Sequence, residues 1–270
     1  MALSDEYAVQ SAAWTDAPPE GPPVALKPTA GHVSKKRVVG IDAARGVALL
    51  GMVAVHALYE SNAQGNPTVS FTIAAGRSAA LFAVLAGVGI SLSTGRQKAT
   101  MGREGCAAAA SLVARALALA VIGLALGQFD STFGTVILVY YGALFLLAIP
   151  LLFLPTRAVV VTGVVIAFVV PVLSQLVRGG LPASLGDHPT AAYLLASPVR
   201  VLADVFVTGE YPALPWLAYV CAGLAIGRLQ LSSLQVARRL FGAGVTMAVL
   251  AKLVAWVALG PLGGSDRIFA

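Results

Sequence analysis

Apolar residues run along this chain in long unbroken stretches, separated by short clusters of charge, glycine and proline. A helix needs roughly 20 such residues to cross a hydrocarbon core of about 30 Å. Seven stretches come close to that length, at about 38–59, 76–94, 107–127, 134–154, 157–177, 211–229 and 238–259. None alternates apolar and polar with a period of two, so helices are predicted and barrel strands are not. The stretches are rich in Ala, Gly, Val and Leu, and small side chains let membrane helices approach closely. The pattern predicts an all-α fold, a polytopic membrane helix bundle of about seven transmembrane helices.

The flanks read differently. Residues 1–34 carry five prolines, from Pro18 to Pro28, and no apolar run, which predicts a disordered cytoplasmic tail. The membrane domain follows at 35–260, and 261–270 forms a C-terminal tail. The long connection 178–210 holds Pro182, Pro189 and Pro198, then an apolar stretch Val199–Val207. That stretch is predicted to lie as a helix on the outer interface.

Composition supports the membrane reading. Of 270 residues, 58% are hydrophobic and 11% charged, against about 25% charged in a soluble domain. Mean hydropathy is +0.84. The net charge is +6, but the cations follow the loops, which is an orientation signal and not a nucleic-acid face. Alternate loops hold eleven Lys and Arg, from Lys27 to Arg239, against Arg178, Arg200 and Arg267 on the other side. This bias predicts a multi-pass plasma-membrane protein with its N-terminus in the cytoplasm. Three histidines and the separate Cys106 and Cys221 show no ligand spacing, so no metal site is expected.

The first span carries the candidate chemistry. At 100° per residue, Asp42, Arg45 and His56 fall within a sector of about 60°. Asp42 and His56 are about 21 Å apart along the axis, so the stripe runs from near the inner end to near the outer end. Ionisable groups inside a span are costly and mark pathways or sites. An imidazole titrates near neutral pH and serves as a general base or nucleophile. A guanidinium offers a fixed fork for phosphate or carboxylate. Asp42, three residues away, can hold Arg45. The residues alone leave other readings open: an interfacial anchor with a structural histidine, or a non-catalytic transporter or channel that relays protons along the stripe. Arg77 and Arg115, together with Tyr140 and Tyr141, are further candidates, with snorkelling or packing as the plainer readings.

Asp42, Arg45-Gly46 and His56 resemble the first helix of the acyltransferase-3 superfamily. The wording Asp-x-x-Arg-Gly-x-Ala-x-x-Gly-Met is more similar to bacterial membrane proteins related to heparan-α-glucosaminide N-acetyltransferase. Gly76 to Gly87, Ile137 to Phe145 and Tyr211 to Arg228 agree with it. The resemblance implies a membrane-bound O- or N-acyltransferase. It would take an acyl group, acetyl above all, from acyl-CoA as co-substrate and pass it to a hydroxyl or amine of a carbohydrate or envelope acceptor. His56 would be the base or acyl-accepting nucleophile, with Arg45 and Asp42 beside it in the acyl-CoA path. Arg77, Arg115, Tyr140 and Tyr141 would meet acyl-CoA or acceptor. The lipid bilayer and a homo-oligomer are the remaining expected partners. Such proteins commonly have ten or eleven spans, so the chain is expected to be a C-terminal truncation, poorly active or inactive alone.

Overall fold

The computed structural model describes residues 39–96, 98, 101–129, 136–182 and 189–259. The tail 1–34 and the segment 261–270 lie outside them, as do Asp187 and His188. All of the regular structure described is helical: α1 Val39–Ala57, α2 Val69–Ala74, α3 Arg77–Ser93, α4 Arg103–Leu126, α5 Leu138–Leu152, α6 Thr156–Arg178, α7 Ala191–Ala196, α8 Pro198–Ala203, a π-helical turn Asp204–Thr208, α9 Ala213–Gly227 and α10 Leu234–Leu259. Five spans, Val39–Ala57, Val69–Ser93, Arg103–Leu126, Thr156–Arg178 and Leu234–Val257, are long and apolar enough to cross a membrane. The helices α5 and α9 are apolar but shorter, at 15 residues each, or about 22 Å. The chain is therefore an all-α membrane helix bundle.

The centre is built from α3, α5 and α9. On the outside, α1 packs on α3, α4 on α5 and α6 on α9. Lipid supplies no hydrophobic drive between helices, so association depends on close backbone packing. Glycines provide it. The helices α3 and α9 run parallel, with Gly87 and Ser91 facing Gly223 and Gly227. A Cβ on Gly223 would strike the Val84 carbonyl, and one on Gly227 would lie 2.6 Å from the Ser91 Cβ. Gly142 approaches Ala116 across the α4–α5 seam, and Gly163 approaches Cys221 across the α6–α9 seam. Each of these seams thus has a glycine at its close approach.

One helix end receives outside help. Pro150 sits inside α5, and the helix ends at Leu152 in a tightened last turn, with the Phe153 and Leu154 amides bonding back to the Pro150 and Leu151 carbonyls at 3.2 and 3.3 Å. Arg228, just past α9, reaches across: Nη1 donates to the Leu154 carbonyl at 2.8 Å, and Nη2 lies 3.4 Å from that of Leu151. A cation at a helix C-terminus also suits the dipole.

The connection before α9 departs from the expected interfacial helix. Val201, Asp204 and Val205 are buried, and the π-helical turn packs on α5, α6 and α9. Polar backbone at membrane depth is tolerated when protein surrounds it. The segment satisfies this by tucking into the bundle. By contrast, no residue of Leu234–Val257 in α10 is buried.

Candidate functional site

Successive helices alternate in direction, which sorts the polar residues to two ends. One end holds Asp42, Arg45, Ser93 and Lys98. The other holds His56, Arg77, Tyr140, Tyr141 and Asp204. Two contacts fix the antiparallel packing of α1 on α3: Gly51 lies against Ser78, and the Arg45 guanidinium lies over Gly89.

The Asp42 carboxylate and the Arg45 guanidinium form an ion pair at 3.7 Å, both about half exposed. His56 is exposed in the last turn of α1. Packing of α1 uses Ala48, which is buried, and Gly51. These lie about 60° and 120° round the helix from Arg45, on the side away from Asp42 and His56. The stripe is therefore intact as a line, but it flanks the seam with α3 instead of pointing into the bundle. Arg45, at the margin of the stripe, is the member that reaches α3.

The other candidates separate from this stripe. Arg77 donates through Nη1 to the Thr72 and Ile73 carbonyls and so caps α2 from the start of α3. Arg115 is exposed on α4, which packs on α5 and not on α1. Tyr141 is buried, donates to the Ala79 carbonyl at 2.9 Å and packs edge-to-face on Phe82. Tyr140 is buried and donates to Asp204 Oδ2 at 2.8 Å. Both tyrosines thus bind α5 to neighbours at the His56 end.

Asp204 was legible only as an acid interrupting the apolar stretch Val199–Val207. The structure makes it the one charged side chain in the core of the described residues, 1% exposed. At the opposite end, a cavity of about 610 Å³ opens between the last turn of α3 and the first turns of α4, lined by Ser93, Thr94, Lys98, Glu104 and Ser111. Among the described residues no cluster of His, Cys, Asp and Glu could hold a metal ion.

These features define a membrane helix bundle with a charged stripe along its first helix and polar sites at both ends. Residues 37–258 match the family described as "Heparan-alpha-glucosaminide N-acetyltransferase, catalytic". The match covers most of the chain, and the chain belongs to that family. No curated protein and no solved structure matches it. Of the two likenesses in the first span, the one to the glucosaminide acetyltransferases is borne out.

Proposed function

We propose that the protein moves an acyl group, acetyl in the first instance, from acyl-CoA to a hydroxyl or amine of a sugar or cell-envelope acceptor. The observation that carries this reading is the catalytic-domain match, which takes in the Asp42–Arg45–His56 stripe. In the proposed reaction the acceptor oxygen or nitrogen attacks the thioester carbonyl. The His56 imidazole takes the acceptor's proton and returns it to the leaving CoA sulfur. In a variant of the scheme the imidazole carries the acyl group first; both routes need His56.

The donor is placed at the Arg45 end. The cavity beside Lys98 has the size of a small-molecule site, and its hydroxyls, the Lys98 ammonium and the Glu104 carboxylate suit a polar ligand. The guanidinium of Arg45, pre-set by Asp42, lies between that end and His56. The loop charges favour a cytoplasmic Arg45 end, facing acyl-CoA, with the acceptor on the far side of the membrane.

The test is release of CoA thiol from acetyl-CoA by the purified full chain in proteoliposomes, with glucosamine as acceptor. His56→Ala should lower the rate by about 10²–10⁴-fold with the protein still inserted. Unchanged turnover in that variant would remove the assignment.

A further inference from the structure

We propose that Asp204, Tyr140 and Thr208 form the acceptor-recognition site at the His56 end, taking hydroxyl groups of one uncharged or amine-bearing sugar ring. This rests on the acyl-transfer reading for the identity of the acceptor, but the site itself is argued from its own geometry.

The first argument is cost. Removing a carboxylate from water costs several kcal/mol even after relaxation. A segment clamp could use apolar packing alone, as Val201 and Val205 already do in the same turn. Asp204 is kept buried among α5, α6 and α9, and a buried ionisable group in a membrane bundle is a candidate site. The Tyr140 hydroxyl, in a ring 1% exposed, donates to this carboxylate. The turn that carries Asp204 is π-helical, closed by a bond from the Gly209 amide to the Asp204 carbonyl at 2.8 Å. Such turns are rare and concentrate at functional sites.

The second argument is an orphaned hydroxyl. Thr208 is 8% exposed, and its Oγ1 has no hydrogen-bond partner among the described residues. It stands one residue before Gly209, whose backbone covers the Tyr140–Asp204 pair. A Cβ on Gly209 would lie 2.8 Å from Tyr140 Oη and 2.9 Å from Asp204 Oδ2. A buried hydroxyl without a partner costs about 1–3 kcal/mol, which a ligand hydroxyl would recover.

The third argument is the surrounding surface. Tyr140 meets Tyr211 edge-to-face at 6.0 Å, Tyr211 meets Trp216 at 5.2 Å, and Trp216 meets Tyr219 at 5.4 Å. Aromatic faces beside a carboxylate, a phenol and a hydroxyl match a sugar, which is apolar on its ring faces and polar at its edge. The Asp204 carboxylate disfavours a phosphate or sulfate against it, while Arg178 Nη2 is turned to the Thr208 carbonyl at 3.5 Å. The wall extends to α3, where Tyr141 bonds the Ala79 carbonyl, and the adjacent Ser78 touches Gly51, on the face of α1 about 140° round from His56. The Gly209–Pro212 turn, which carries Tyr211, is the piece that must lift to admit the ring.

The test uses Trp216 as a reporter in the full chain, with Trp14→Phe and Trp256→Phe to leave one indole. Glucosamine, glucose and glucose 6-phosphate are titrated against its fluorescence in nanodiscs. The expected result is a saturable change with glucosamine and glucose and none with glucose 6-phosphate. Asp204→Asn, Tyr140→Phe and Thr208→Val should each weaken binding, by about tenfold or more for Asp204→Asn. No saturable change with either neutral or amino sugar, or equal affinity in the variants, overturns the site. Loss of insertion in all three variants also overturns it, since the pair would then be a structural latch. Acetyl-CoA consumption is measured in parallel. Binding without turnover would sink the acyl-transfer reading and keep the site; turnover with variant-independent binding would do the reverse.

Discussion

The Arg45 guanidinium lies directly over Gly89 of the neighbouring helix, where an added Cβ would come within 2.8 Å of Nη2. The fork is therefore positioned from two sides, by the Asp42 carboxylate on its own helix and by a missing side chain on the next. Gly89→Leu should push the guanidinium off α3 with little change in the fold, because α1 is not part of the core. The expected result is a raised KM for acetyl-CoA in the thiol-release assay. An unchanged KM would show that the Arg45 position is irrelevant to the donor.

Arg45→Lys keeps the charge but loses the planar fork. Acetyl-CoA use should fall by about tenfold, the size of one lost charge-assisted hydrogen bond. Full activity in this variant would reduce Arg45 to a point charge at the interface.

The parallel seam of α3 and α9 should be the most fragile part of the bundle. Gly223→Leu forces a side chain against the Val84 carbonyl, and overpacking of this kind costs about 1–3 kcal/mol or more. Thermal unfolding in detergent should shift down by several degrees or the chain should fail to insert. An unchanged Tm would contradict the close contact between Gly87 and Gly223.

Arg228→Met keeps the length and apolar stem but removes the side-chain donor from the Leu151 and Leu154 carbonyls. Losing a charged donor from buried acceptors costs about 1–3 kcal/mol. Melting should fall while CoA release per folded molecule stays constant, if the bonds from Arg228 to the end of α5 are its only role.

Orientation is tested by introduced cysteines in a Cys106→Ser background; Cys221 is buried and silent. An impermeant maleimide added to intact cells should label Asn62→Cys, on the α1–α2 connection, and not Ser232→Cys, before α10. The reverse pattern would invert the topology drawn from the loop charges.

Hydropathy alone placed every long helix to within a few residues, since a run of about 20 apolar residues has few alternatives to a helix in a bilayer. Short elements escaped it. The helix Val69–Ala74 is too brief to give a periodic signal, and its cap, Arg77, looked like a lone cation. The stretch Val199–Val207 is apolar but too short to span, so it is expected to lie on the interface. Its burial depends on Tyr140, 64 residues earlier in the chain, which no local pattern reveals. The Asp42–Arg45 pair was readable because both members share one helix at a spacing of three. The wording Gly223 to Gly227 was visible too, but its partner pair Gly87 and Ser91 could be matched only in three dimensions.

Among the described residues only Ala48 of the first helix is buried, and its main neighbours are α2 and α3. The helix that bears His56 is thus anchored by a single narrow seam, while α3, α5 and α9 interlock. Its amides should exchange with solvent deuterium sooner than those of α9, because local opening needs few contacts to break. A rod hinged along one edge can rock without disturbing the scaffold behind it, and in the proposed reaction His56 would move with it.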